Sequence, residues 1–136
     1  FKKITMSNKL DKILAEISAG ELIDKITILE IKRTKISDTS KLNDVEKELS
    51  SLNSTFKNKI PDISKIQTLI SDLKSVNLKL WDIENEKRLA EKNMDFGEKF
   101  IELARNVYKN NDKRAKIKLE INNILGSNIK EIKSHF

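Results

Sequence analysis

The sequence is poor in several residue types, and each shortage argues against a class of functional site. It has no cysteine, three glycines and a single histidine, His135. Without thiols there is no disulfide scaffold, cysteine nucleophile or zinc–thiolate centre. One histidine next to the last residue argues against a Ser-His-Asp triad and against a histidine metal site, and the glycines form no phosphate-binding loop. We therefore predict no metal and no cofactor, and the sequence favours a protein that is not an enzyme.

Long apolar runs are also missing. No segment approaches the roughly 20 apolar residues of a membrane-spanning helix, and no signal-peptide pattern is present. The absence of cysteine fits a reducing compartment. These features predict a cytoplasmic protein without a membrane partner.

Charged residues are abundant, at 35% of the chain, whereas aromatic residues make up only 5%. This balance is typical of helical bundles with long solvated faces. The length of 136 residues suits one domain that can bury its own core. We expect residues 1–12 to form a flexible N-terminal arm and residues 13–136 to form a single helical domain.

The segment from Asp95 to Gly126 predicts one long amphipathic helix. Asp95 and Glu98 have the spacing of a capping box, and Gly126 can close the helix in a left-handed conformation. The apolar stripe becomes polar halfway along, at Asn110, Asn111, Asp112 and Arg114. Either the helix breaks there, or it continues and its polar centre meets polar partners. We favour one helix because no glycine or proline interrupts it.

Three helices are predicted before it, and together they define the fold class. Ser18 and Glu21 form a second capping box at the start of a helix over 18–37. A helix over 40–59 carries a short coiled-coil seam, and one over 62–92 follows Pro61. The predicted fold is an all-α bundle built on a long antiparallel hairpin (62–92 and 95–125) with two shorter helices (18–37 and 40–59).

A two-residue turn at positions 93 and 94 would place specific residues opposite one another in that hairpin. Asp82 would face Arg105 as a buried ion pair, Trp81 would lie near Asn106, and Asn77 near Asn110. On the first helix, Arg33 would pair with Glu30 one turn away.

Several of these residues could also bind a ligand. Arginine and tyrosine side chains on neighbouring helices can hold a phosphate or carboxylate, although the same arginines could simply pair with acidic residues. The candidate ligand-binding residues are Glu30, Arg33, Trp81, Asp82, Arg105, Tyr108, Asn111 and Arg114. The spacing Glu21-x-x-Asp24 is similar to half of the carboxylate pattern with which helical nucleotide pyrophosphohydrolases hold Mg²⁺, but no matching Glu-x-x-Glu follows.

Four longer phrases of the sequence carry a family resemblance: EISAGELIDKITILEIK, LWDIENE, DFGEKFIELARNVYKNND and INNILGS. They resemble a family of small all-helical bacterial proteins known only as a domain of unknown function. The resemblance covers about Ile13 to Lys133. It implies an all-α fold and no particular activity.

We expect the chain to act as a non-catalytic interaction or adaptor module that forms homo-oligomers, most simply a homodimer. Apolar seams on four helices exceed what a short first helix can cover, and uncovered apolar surface usually binds a partner. The alternative is a binder of, or enzyme acting on, an anionic, sugar-phosphate-like molecule. Nucleic-acid binding ranks lower: the net charge is +6, but its only basic concentration, Lys113, Arg114, Lys116 and Lys118, lacks interleaved aromatic residues.

Overall fold

The structure, a computed structural model, describes residues 9–134. Four helices follow one another: α1 (Ala19–Lys35), α2 (Thr39–Lys59), α3 (Gln67–Lys92) and α4 (Glu98–Leu125). No strand occurs between residues 9 and 134. The all-α bundle that the sequence predicts is therefore confirmed. None of these helices is long and apolar enough to cross a bilayer.

The four helices form two hairpins that meet through α1. The α3 and α4 helices pack against each other, and α1 lies against both of them. Along its length α2 packs only on α1. At its C-terminal end, however, Phe56 and Ile60 reach the apolar residues of the α3–α4 hairpin. The first helix is thus in contact with all the others.

The four helices enclose two apolar cores, and α1 contributes to both. The first lies between α1 and α2 and consists of Leu22, Ile26, Leu29, Val45 and Leu49. The second joins α1 to the α3–α4 hairpin through Ile23, Ile66, Leu73 and Ile121, of which the last three are fully buried. Val45 and Leu49 come from the seam predicted on the second helix, so α1 already covers much of that seam.

Helix boundaries agree with the prediction at some ends and differ at others. Ser18 Oγ accepts a hydrogen bond from Glu21 N at 3.0 Å, as the first capping box predicts. Gly126 closes α4 with φ of 65°, and α4 is one uninterrupted helix. The predicted capping role of Asp95 is wrong. Its Oδ1 accepts a hydrogen bond from Gly97 N at 3.3 Å, and Gly97 occupies the position before the first helical residue.

The α3 helix begins five residues later than predicted, at Gln67. Asp62 Oδ1 accepts a hydrogen bond from Ser64 N at 2.9 Å, and this bond holds the segment after Pro61 in a turn. The α3–α4 connection also differs, because it comprises residues 93–97 instead of a two-residue turn. Within it Met94 has φ of 56°, the left-handed conformation that permits a sharp reversal.

These differences overturn the predicted Asp82–Arg105 pair. Both residues are exposed, and no ion pair joins them in the part of the chain that the structure describes. The buried positions nearby are Ile83 and Leu103. Since adjacent helical residues lie about 100° apart, Asp82 is turned away from the inner face when Ile83 occupies it. The intrahelical Arg33–Glu30 pair is also wrong, since Arg33 lies 3.7 Å from Glu46 and Glu30 lies 3.2 Å from Lys74.

Irregular segments flank the four helices. Residues 9–17 have no regular structure, and Leu10, Ile13 and Leu14 are each more than 80% exposed. Residues 127–134 run back beside α4, where Lys133 lies 2.6 Å from Asp112. The predicted arm falls partly on residues 1–8, which are outside the described residues, and the domain start at residue 13 stays a prediction.

Candidate functional site

A network of polar side chains lies where α1 meets both α3 and α4. We call it the polar network and define it as Glu21, Asp24, Thr27, Asn77, Arg114 and Lys118. Its centre is Asp24, which is fully buried. Asn77 Nδ2 donates hydrogen bonds to Asp24 Oδ1 at 2.8 Å and to Thr27 Oγ1 at 2.9 Å. Buried polar groups are costly unless paired, so these bonds stabilise the interface of α1 with α3.

Arg114 joins α4 to the same aspartate. Its Nε donates to Asp24 Oδ1 at 2.9 Å and its Nη2 to Asp24 Oδ2 at 2.5 Å, which is the bidentate geometry favoured by arginine and carboxylate. The hydrogen bonds to Asp24 raise the pKa of Arg114, although partial burial opposes the change. The pair therefore holds both side chains in a fixed orientation.

Lys118 completes the network one turn further along α4. Its Nζ lies 2.5 Å from Glu21 Oε1 and 2.7 Å from Glu131 Oε1, in the segment that returns along α4. Burial alone would lower the pKa of Lys118, but hydrogen bonds to Glu131 and Glu21 and the charge of Asp24 outweigh it and raise the pKa. Lys118 is thus a buried, charged lysine held by carboxylates on two sides.

A close contact between backbones lies beside the network. Gly20 N donates a hydrogen bond to Asn122 Oδ1 at 2.7 Å, and a Cβ on Gly20 would lie 2.5 Å from Lys118 O. Only glycine allows α1 to approach α4 this closely. Two buried atoms of α4, Asn110 Oδ1 and Asn122 Nδ2, have no hydrogen-bond partner among residues 9–134.

The chemistry of the network follows from this pairing. The oxygens of Glu21 and Asp24, whose spacing is similar to half of a magnesium-binding carboxylate pattern, accept hydrogen bonds from Lys118, Arg114 and Asn77. Each charge is matched by an opposite charge within 4.0 Å. The arrangement is suited to holding three helices together.

A groove opens between α1 and α3 at the edge of the network, and we call it the α1–α3 groove. Its volume is about 420 Å³, and apolar and charged side chains line it together: Ile28, Ile31, Leu80, Trp81, Arg88 and Arg114. Trp81 is partly buried and lines this groove together with Ile28 and Ile31 of α1. Small-molecule sites combine an apolar wall with a few fixed polar groups in a similar way.

The structure brings only some of the predicted site residues together. Trp81 and Arg114 share the α1–α3 groove, and Asn111 Oδ1 lies 3.5 Å from Arg114 Nη1. Glu30 and Arg33 form ion pairs elsewhere on α1, with Lys74 and Glu46. The remaining three, Asp82, Arg105 and Tyr108, are exposed and lie outside this groove.

Sequence reasoning named Asp24 only as part of the Glu21-x-x-Asp24 spacing and missed its role as the centre of the network. On α1, the positions Gly20, Asp24, Thr27 and Ile31 follow helical spacing and form a second, largely polar seam facing the α3–α4 hairpin. The apolar stripe on the neighbouring face hid this seam. A glycine and an aspartate four residues apart in the first two turns of a helix with an apolar face were the available signal.

One group of exposed apolar side chains lies at the end of the α3–α4 hairpin, and another lies in the segment before α1, at Leu10, Ile13, Leu14 and Ile17. We call the first of these regions the hairpin tip and define it as residues 86–102. Its exposed apolar side chains are Leu89, Met94, Phe96 and Ile101. The rings of Phe96 and Phe100 pack edge to face with centroids 5.4 Å apart. The tip is therefore an ordered surface with several apolar side chains in contact with water.

Comparisons with known proteins identify a family and no activity. No curated protein and no solved structure is significantly similar to the chain. A family model, described as a family of unknown function (DUF6165), matches residues 13–135, close to the span of the resemblance seen in the sequence. The chain belongs to this family of unknown function.

Proposed function

We propose that the domain is a non-catalytic interaction module that assembles as a homodimer through the hairpin tip. The observation that carries this proposal is the group of exposed apolar side chains at the tip, Leu89, Met94, Phe96 and Ile101. They lie on or between two long helices, so ordering them on association costs little conformational entropy. The polar network supports a non-catalytic role because its acidic and basic groups are bound to one another.

The charge of the tip favours a second copy of the chain as its partner. The chain carries a net charge of +6, but residues 86–102 contain four cationic and five anionic side chains. A two-fold interface brings the same surface together twice, and like charges facing each other would oppose it. A surface with both signs in nearly equal number can pair each cation with an anion of the other copy. The same proposal places the protein in the cytoplasm, as we expect from its lack of cysteine.

The experiment compares two isoleucines of α4. Ile101 lies at the tip and is 55% exposed, while Ile124 lies at the other end of the same helix and is 46% exposed. We expect Ile101→Glu to weaken self-association about tenfold or more, since burying a charge at an interface costs at least ~1.4 kcal/mol. Ile124→Glu, with the same change of charge, should leave it unchanged. Sedimentation equilibrium and light scattering measure the self-association of both variants.

Two outcomes would contradict the proposal. A monomer at every concentration up to the millimolar range would exclude the homodimer. A dimer that Ile101→Glu leaves intact would exclude the hairpin tip as its interface. The exposed N-terminal segment provides a further comparison, because Leu14→Glu should have no effect if the tip is the interface.

A further inference from the structure

The α1–α3 groove has the size and the walls of a small-molecule site. Its volume of about 420 Å³ falls within the roughly 300–1,000 Å³ usual for such sites. Ile28, Ile31 and Leu80 give it an apolar floor, and the indole of Trp81 adds an aromatic wall. A planar or apolar group could be buried against these side chains.

Arg114 presents a fixed cationic group to this groove. Two of its nitrogens, Nε and Nη2, are used on Asp24, which Asn77 holds from the other side. The third, Nη1, has only a 3.5 Å contact with Asn111 Oδ1, and the side chain keeps 29% of its surface exposed. A guanidinium has five N–H donors and three of them are used in these contacts, so two remain on a group whose orientation is already fixed. Binding an anion there requires little loss of side-chain freedom.

Arg88 adds a second cation on the same groove. It is exposed, and no carboxylate lies within 4.0 Å of it among the described residues. The one acidic residue of the groove, Glu84, lies 3.6 Å from Lys87. Since Asp24 balances Arg114 and Lys87 balances Glu84, Arg88 leaves the groove with a net positive charge.

We propose that the α1–α3 groove binds a small phosphate monoester whose organic part is planar or apolar. The phosphate would accept hydrogen bonds from Arg88 and from the free edge of Arg114, and the organic part would pack against Trp81 and Ile31. An arginine fork matches the oxygens of a phosphate, and a phosphate monoester dianion carries more charge than a carboxylate. The site shares Arg88 with the hairpin tip but none of the four exposed apolar side chains of the tip, so the test of phosphate binding and the test of self-association can fail independently.

The tryptophan in the groove allows ligand binding there to be measured by fluorescence. Trp81 is the only tryptophan of the chain, so its fluorescence reports on this groove alone. Phenyl phosphate is the probe, compared with phenol, inorganic phosphate and benzoate. We expect a saturable change in Trp81 emission with phenyl phosphate, and binding about tenfold or more weaker for each of the other three, since a charge-assisted hydrogen bond or a buried ring contributes that much.

Two arginine variants that lose the same charge distinguish binding in the groove from attraction of the anion to the overall positive charge of the protein. Arg88→Gln should weaken binding of phenyl phosphate about tenfold or more. Arg105→Gln, on an exposed arginine that does not line the groove, should leave the affinity within about twofold, because an exposed charge without contact to the ligand contributes little. Both arginines are exposed, so neither variant threatens the fold, and circular dichroism checks this.

Each of the following results would overturn the proposal. The first is the absence of saturable binding of phenyl phosphate. The second is an equal loss of affinity in the two variants, which would mean attraction to the overall charge. The third is binding of phenol or benzoate as tight as that of phenyl phosphate, which would mean that the phosphate is not recognised.

Discussion

Asp24 is the residue on which the polar network depends, because it bonds to α3 and α4 at once. Its carboxylate is the only one within 4.0 Å of Arg114 among the described residues. Asp24→Asn keeps the size of the side chain and removes its charge. Removing one partner of a buried ion pair typically costs about 3–5 kcal/mol. We expect a loss of that order in the free energy of unfolding, measured by urea denaturation.

The control is the same chemical change in an exposed pair. Glu46 lies 3.7 Å from Arg33, and both side chains are about half exposed. Glu46→Gln should change the free energy of unfolding by no more than about 1 kcal/mol, since exposed pairs contribute little. If Asp24→Asn were as mild as Glu46→Gln, the network would not hold the helices together.

The sequence shows that residues such as Arg114 are polar in an apolar stripe, but it does not show their partners. The sequence correctly predicts that α4 is one continuous helix that contains both Asn110 and Arg114. The partner of Arg114 is Asp24, 90 positions away on another helix. Pairing between distant helices depends on their relative rotation, which periodicity within one helix does not determine.

At the level of the helices, the contact between α1 and α4 depends on Gly20. A Cβ at this position would lie 2.5 Å from Lys118 O, a backbone atom that cannot move alone. We therefore expect Gly20→Ala to push the helices apart and to reduce the free energy of unfolding by about 1–3 kcal/mol, as overpacking usually does. Thermal and urea denaturation both measure this.

Gly97→Ala is the control for Gly20→Ala, because it makes the same change at a glycine without a close neighbour. A Cβ there would meet only Asp95 Oδ1, at 3.6 Å, and its φ of −79° is open to any residue. Gly97→Ala should therefore be close to neutral. Equal effects of the two substitutions would show that the approach of α1 to α4 is not close enough to require glycine.

The helices themselves could be predicted better than the connections between them. Ser18 and Gly126 mark helix ends through local hydrogen bonds and local backbone conformation, and both were predicted correctly. The turn after Pro61 and the segment 93–97 are stabilised by side chains such as Asp62, whose bonds sequence spacing alone does not determine. A shift of a few residues there changes which side chains face each other across a hairpin, and this is why the Asp82–Arg105 pair was wrong.

For the whole molecule, the net charge of +6 raises the possibility of a nucleic-acid partner. The structure divides the basic cluster, since Arg114 and Lys118 bind carboxylates while Lys113 and Lys116 are exposed. Only two cations of this cluster therefore remain without an ion pair among the described residues. We expect no retention of duplex or single-stranded nucleic acid at physiological salt in fluorescence anisotropy. Tight binding that falls steeply with salt concentration would contradict this expectation.

The position of α1 between two hairpins also has a consequence for how the chain folds. The α1–α2 and α3–α4 pairs are each joined by a short connection, whereas the bonds from Gly20 and Asp24 to α4 connect residues 102 and 90 positions apart. Closing a longer loop costs more chain entropy, so we expect each hairpin to form first and the docking of α1 on α4 to come last. The slow step of folding then brings distant parts of the chain together, although most helical bundles fold quickly through local contacts.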